Sequence, residues 1–277
     1  MSQGKLLHNG NWVDAVPPND RGFAYGDGLF ETIRLVNGEP VLWKLHVDRL
    51  LQGCERLDLP LSQERASALS EDVQILWETQ GRPADSVIKI QLTRAAAGRG
   101  YRPGSGSPNV YVSLHDLPPN LSMSQEGGLR VKMLNFRLAR QSALAGIKHL
   151  NRLEQVLASQ ELTDEDEGIL CDTEGWVVEG TRSNLLVLTA GRWMTPDLGY
   201  CGVAGVMRQY VLETAPLHGI DIEVLPIRPQ QVFEAEGLLL MNSVMGLCPV
   251  RALDSVGRNI PDSLRTLQNH IHKKLHL

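Results

Sequence analysis

Leu144-Ala145-Gly146-Ile147-Lys148-His149-Leu150-Asn151-Arg152-Leu153-Glu154-Gln155-Val156-Leu157 is the stretch on which the reading of this chain turns. It sets one lysine at the head of a stretch, Leu150 to Glu161, that reads as a helix. A lone lysine at a helix start is usually a solvated surface group. The residue that changes its meaning lies downstream. Glu179 closes Asp172-Thr173-Glu174-Gly175-Trp176-Val177-Val178-Glu179, just before Ser183-Asn184-Leu185.

Composition narrows the classes. The chain has 277 residues, long enough for a large core or two modest domains. Hydrophobic content of 42% and charged content of 21% are those of an ordinary globular protein. A net charge of −5 argues against a general phosphate-backbone binder, so no nucleic-acid partner is expected. Met1 to His8 contains no long apolar stretch, and no segment approaches the ~20 apolar residues of a membrane helix. A cytoplasmic protein without a membrane partner is expected. Cys54, Cys171, Cys201 and Cys248 are scattered without C-x-x-C spacing and read as reduced, buried thiols. His270, His272 and His276 near the C-terminus lack a Cys or acidic companion, so a solvated helix face is expected there and no metal.

Along the chain, Asn9-Gly10 and Asn37-Gly38 each separate apolar stretches and predict hairpins. Asp20 to Gly28 is glycine-rich and reads as a turn. Leu45, Leu50, Leu51, Cys54 and Leu57 recur at helical spacing before Pro60, and residues 62–80 read as a second helix. Val87–Leu92 and Val110–Leu114 read as strands. Pro118 and Pro119 amid polar residues mark residues 116–122 as the interdomain linker. The expected division is an N-terminal α/β domain, 1–115, and a C-terminal α/β domain, 123–277, that carries Lys148. Later elements are a strand over Leu129–Phe136, a helix over Gly205–Leu217, strands over Ile222–Leu225 and Gly237–Met241, and a final helix. The acidic run Asp164-Glu165-Asp166-Glu167 reads as a solvated loop. The fold class expected is α/β (α+β) in two domains, with the active site between them.

A lysine and a carboxylate are the minimum protein equipment for pyridoxal 5′-phosphate. The amine forms a Schiff base with the cofactor aldehyde, and the carboxylate keeps the pyridine nitrogen protonated so that the ring accepts electrons. The words around Lys148 and Glu179 resemble the fold-type IV pyridoxal phosphate enzymes, which comprise branched-chain aminotransferases, D-amino-acid aminotransferases and 4-amino-4-deoxychorismate lyases. The resemblance runs from Asn9-Gly10 to Pro249-Val250 and is closest to the lyases, through the stretch Leu144 to Leu157. It implies that Lys148 is the Schiff-base lysine and Glu179 the partner of the pyridinium nitrogen. Arg49, in His46-Val47-Asp48-Arg49-Leu50, matches the family's phosphate arginine, and a planar guanidinium suits a phosphate dianion. Val206 and Met207 match a backbone phosphate cradle at a helix start, where unsatisfied N–H groups attract anions. Asn242 and Ser243 match a second phosphate contact.

On the substrate side the resemblance implies Arg99 and Tyr101 as carboxylate contacts and Phe30 as a lining residue. Thr32 stands where lyases tend to carry threonine, and is expected to assist catalysis. Glu31 stands where some lyases carry threonine and transaminases carry glutamate. The activity implied is aminodeoxychorismate lyase, giving 4-aminobenzoate and pyruvate for folate biosynthesis. The alternative is a D-amino-acid or branched-chain aminotransferase on the same scaffold. The family also implies a homodimer.

Overall fold

The computed structural model describes residues 6–95, 100–104, 106–119 and 121–277. Two compact units divide the chain. Unit 1 is the chain through Leu117 together with Ile147–Asn151, and unit 2 is Pro118–Gly146 together with Arg152–Leu277.

Unit 1 is built on a six-stranded antiparallel sheet. Its strands are β1 (Leu6–His8), β2 (Asn11–Val13), β3 (Gly28–Val36), β4 (Glu39–Pro40), β5 (Asp85–Thr93) and β6 (Asn109–His115), in the order β2-β1-β6-β5-β3-β4. The two Asn-Gly pairs close the β1–β2 and β3–β4 hairpins. Asn9 and Gly10 have φ of 48° and 80°, and Asn37 and Gly38 have 50° and 85°. Two successive positive φ values match the right-handed twist of the strands they join, and Asn and Gly reach them at least cost. The helices are α1 (Arg21–Tyr25), α2 (Trp43–Arg56), α3 (Gln63–Ser67) and α4 (Leu69–Thr79). The core joins Leu29 and Ile33 of β3, Ile88, Ile90 and Leu92 of β5, Leu50 and Cys54 of α2, and Leu69, Val73 and Leu76 of α4, all buried.

Unit 2 carries a nine-stranded mixed sheet. Its strands are β7 (Leu129–Leu138), β8 (Glu167–Asp172), β9 (Val177–Gly180), β10 (Asn184–Thr189), β11 (Arg192–Pro196), β12 (Ile222–Leu225), β13 (Gly237–Asn242), β14 (Gly246–Leu253) and β15 (Val256–Gly257). They run in the order β12-β11-β10-β13-β14-β7-β8-β9, with β15 paired to β14. Pairing is parallel at β11–β12, β14–β7 and β7–β8. Strands β10 and β13 are almost wholly apolar, as expected for strands buried on both faces. The helices are α5 (Leu121–Gly127), α6 (Leu153–Ser159), α7 (Val206–Thr214), α8 (Pro229–Glu234) and α9 (Asp262–Leu275). Helix α9 buries Leu264, Leu267, Gln268 and Ile271.

Several elements differ from the sequence reading. Asp20 to Gly28 contains a helical turn, α1, because buried Asp20 caps it by accepting the Gly22 N–H at 2.8 Å. Residues 62–80 form two helices that share Ala68 as a cap, an offset that apolar spacing does not reveal. The helix expected from Leu150 starts only at Leu153. The residues before it are extended: Phe30 N–H donates to the Lys148 carbonyl, Leu150 N–H donates to the Gly28 carbonyl, and His149 bridges Leu29, so β3 captures the backbone. Lys148 therefore belongs to unit 1 and not to the C-terminal domain in which the sequence division put it. The division between units falls at Leu117/Pro118, and α5 starts at Leu121 inside the expected linker. The acidic run is not wholly solvated. Glu167 is buried, accepting the Thr181 N–H at 2.9 Å and the Ser183 hydroxyl at 3.0 Å.

The four cysteines are free and buried, and burial pushes the thiols of Cys54, Cys201 and Cys248 up to about 12. His272 is occupied in the fold, its Nε2 accepting the Leu247 N–H at 2.9 Å. No helix among the described residues is long and apolar enough to cross a membrane.

Candidate active site

In unit 1 the strand period decides which residues share a face. Along β3, Leu29, Glu31 and Ile33 stand opposite Leu92, Ile90 and Ile88 of β5, and therefore face the core under α2. Phe30 and Thr32 stand opposite Gln91 and Lys89, on the other face, and both are half-buried. The Lys148 amine lies 4.2 Å from the centre of the Phe30 ring, a cation–π distance, so Lys148 belongs to the face that carries Thr32.

Glu31 is a carboxylate at a core position, and α2 answers it. His46 and Arg49, three residues apart, lie on one side of the helix. His46 Nδ1–H donates to Glu31 Oε2 at 2.6 Å, Arg49 Nε–H donates to Oε1 at 2.8 Å, and Arg49 Nη2–H donates to Oε2. All three residues are buried. Burial alone would raise the Glu31 pKa, but the Arg49 charge and the hydrogen bond from His46 outweigh it and lower the carboxyl to about 2. Burial lowers the His46 pKa, which leaves the imidazole neutral with its proton on Nδ1. His46 Nε2 is buried and has no hydrogen-bond partner among the described residues. Arg49, expected as the phosphate arginine, is thus held as half of an ion pair. The sequence signal for His46 is its i, i+3 spacing from Arg49.

Tyr101 is 85% exposed and packs edge-on to Tyr25. It is placed at the surface, not beside Phe30. Its carbonyl accepts from Arg21 Nη2, and Arg21 pairs with Asp27, which also pairs with Arg94. Arg99 lies outside the described residues.

In unit 2, Glu179 sits near the end of β9 and is buried. Its Oε2 accepts the Val203 N–H at 2.8 Å. Val203 leads into α7, whose N-cap, Gly205, has no side-chain hydrogen bond to its first turn. The side chains of Val206 and Met207 are buried, so what they can offer an anion is backbone N–H. Asn242 is spent on its own turn: its Oδ1 accepts the N–H groups of Val244 and Met245, and its Nδ2 donates to the Arg182 carbonyl. That bonding shapes the turn carrying Ser243.

The residues therefore gather as two sets. Unit 1 brings together Lys148, Phe30 and Thr32 on one strand face and Arg49 with Glu31 on the other. Unit 2 brings together Glu179 and the start of α7. Within unit 1 an amine and a guanidinium, and within unit 2 a buried carboxylate and a helix N-terminus, are each of a chemistry that suits part of a phosphorylated pyridine aldehyde.

The sequence profile of the family described as amino-transferase class IV matches residues 28–253. The chain belongs to this family, and is a pyridoxal 5′-phosphate enzyme of fold-type IV. It is 33% identical to an aminodeoxychorismate lyase of Vibrio harveyi over 95% of this chain and 98% of that one. It is 30% identical to a putative branched-chain-amino-acid aminotransferase of Methanocaldococcus jannaschii over 90% and 88%. Among solved structures, the 4-amino-4-deoxychorismate lyase of Pseudomonas aeruginosa superposes with a TM-score of 0.91 at 38% identity, covering 98% of this chain and 100% of that one.

Proposed function

We propose that the enzyme is a 4-amino-4-deoxychorismate lyase, releasing 4-aminobenzoate and pyruvate, and that it serves folate biosynthesis. The observation that carries this reading is the alternation along β3. Thr32, the lyase-like residue, shares the face of Phe30 and the Lys148 amine, whereas Glu31, the transaminase-like residue, points the other way into α2. Glu31 therefore acts on Arg49 and does not bear on the choice of reaction. The lyases among the relatives support the same reading.

Bound pyridoxal phosphate supplies the electron sink for bond cleavage. Lys148 would hold the cofactor, and its Nζ would take the proton from C4 of the substrate ring. Loss of that proton drives departure of the enolpyruvyl oxygen at C3; the ring becomes aromatic and the released enol becomes pyruvate. The Thr32 hydroxyl orients the substrate or relays the proton beside Lys148. The Glu179 carboxylate keeps a proton at the pyridine nitrogen. Arg49, the amides of Val206 and Met207, and Ser243 hold the phosphate. Phe30 lines the substrate side, and Arg99 receives a substrate carboxylate. A homodimer is part of this reading, supported by Leu153, Val156 and Leu157, which are exposed and spaced i, i+3, i+4 on α6.

The test is an assay of 4-aminobenzoate and pyruvate from aminodeoxychorismate without added keto acid. Equimolar release of the two products is expected. Turnover seen only with an amino acid plus a keto acid would overturn the lyase in favour of the transaminase.

A further inference from the structure

In unit 2 a three-residue strap, Gly202–Ala204, is tied on every side. Val203 N–H donates to Glu179 Oε2 at 2.8 Å. The Val203 carbonyl accepts from Asn184 Nδ2 at 2.9 Å. Gly146 N–H donates to the Gly202 carbonyl at 2.9 Å, and Ala204 N–H donates to the Gly146 carbonyl at 3.0 Å. Gly146 is two residues before Lys148, and the strap runs straight into Val206 and Met207 of α7. One short stretch of backbone thus meets the carboxylate expected at the pyridine nitrogen, the helix start expected at the phosphate, and the chain that leads to the lysine.

Asn184 is the side chain that fixes this strap. It is 5% exposed at the head of β10, and its amide is pressed so close to the start of α7 that a Cβ at Gly205 would lie 1.9 Å from Asn184 Oδ1. Only glycine at position 205 lets that amide in. The turn before Asn184 is braced in its turn by buried Glu167, which accepts from Thr181 and Ser183. The amide is therefore preset, and the two peptide groups that flank the Val203 Cα commit an N–H and a carbonyl, one each, to buried side chains.

We propose that Asn184 is a positioning residue for the cofactor: by holding the Val203 carbonyl it fixes the backbone at Val203 and so keeps the Glu179 carboxylate and the α7 N-terminus at one fixed spacing, that of the pyridine nitrogen and the phosphate. The proposal rests on the assignment of Glu179 and α7 to those two ends. Asn184 acts through the backbone it holds. Its loss lets the Val203 N–H swing, so that Glu179 loses its alignment and the first amides of α7 shift together.

The experiment uses the full-length protein stripped of cofactor. Dissociation constants are measured for pyridoxal 5′-phosphate, and the protonation of the bound pyridine nitrogen is read by 15N NMR on ring-labelled cofactor. Asn184→Ala is expected to weaken binding about tenfold, the loss of one buried hydrogen bond, and to move the 15N signal toward the unprotonated base. Gly205→Ala, which displaces the same amide from the other side, should do the same. Ile169→Val, a core change in the same unit, lowers Tm without moving either quantity. A wild-type affinity or a wild-type 15N signal in Asn184→Ala overturns the proposal, whatever happens to Tm. Should that variant not fold, Asn184→Asp keeps the shape, removes the donor and is judged by the same criteria. If Glu179→Gln leaves the 15N signal unchanged, it is the assignment of Glu179 that has failed.

Discussion

Glu31 in unit 1 and Glu179 in unit 2 are both buried carboxylates, and the hydrogen bonds described for them differ in kind. Glu31 is met by two side chains, an imidazole and a guanidinium that are themselves buried. Glu179 accepts a backbone N–H, that of Val203, and lies within electrostatic reach of the Arg152 guanidinium. A peptide N–H cannot titrate, and it is oriented by the chain. A side-chain partner must be ordered and desolvated at a cost, and it is stranded if its counterpart is removed. The first arrangement suits a group whose charge must be balanced, as Arg49 requires. The second suits a group that must present its charge to something else.

The comparison can be broken in several ways. The largest effect tests the premise that both sets serve one cofactor. Lys148→Ala should lower turnover on the order of 10⁴-fold or more and abolish covalent attachment of pyridoxal phosphate. Borohydride reduction and peptide mapping check this, and a label on Lys132 or any other lysine would refute it. Next, Glu31→Ala leaves Arg49 buried without its counter-ion and should cost about 3–5 kcal/mol in urea unfolding. Glu179→Ala, which removes the acceptor of the Val203 N–H, should cost about 1–2 kcal/mol. Equal losses would erase the distinction.

Acid sharpens the same contrast. The Glu31 pKa lies at about 2 in the folded protein against 4.5 for the free group, so its contribution is complete above pH 4.5 and disappears as pH falls toward 2. The amount at stake is roughly 3 kcal/mol. Burial lowers the His46 pKa below 6.5, so its contribution is also lost on acidification, below pH 6.5. Stability curves of wild type and Glu31→Gln should therefore converge between pH 4.5 and 2; parallel curves would contradict the assigned shift. The smallest effect concerns reaction choice. Thr32→Val removes one hydroxyl from the face of Phe30 and should lower lyase turnover about tenfold, with cofactor binding unchanged. An unaltered rate would detach Thr32 from the chemistry.

Much of this is legible in the sequence. The Asn-Gly hairpins, the strands β5 and β6 and the amphipathic α2 follow from local pattern, which backbone sterics and burial enforce directly. The stretch around Lys148 pointed to the family, but its helix began three residues late because β3 captures residues 148–150, a long-range pairing that no local spacing encodes. Glu31 looked like a marker of reaction type. Its period-2 position turns it away from Phe30 and Thr32, which became visible only once β3 and β5 were in register. Asn184 carries no sequence signal of its role, since a partner 19 residues downstream leaves no trace in Ser183-Asn184-Leu185 itself. Glu167 was hidden in an acidic run whose other members are far less buried.

The capture of Ile147–Asn151 by unit 1 reaches beyond the site. Each unit is drawn from two separate stretches of sequence, so the chain passes from one to the other three times. No single scission yields either unit as an intact peptide. A chimera crossed over at Leu117/Pro118 would pair β3 from one parent with the lysine strand of the other, making that short pairing a compatibility test for every recombinant. Swapping activities between relatives therefore calls for exchanging three joints together, with Gly28–Phe30 and Lys148–Leu150 inherited as one heritable block.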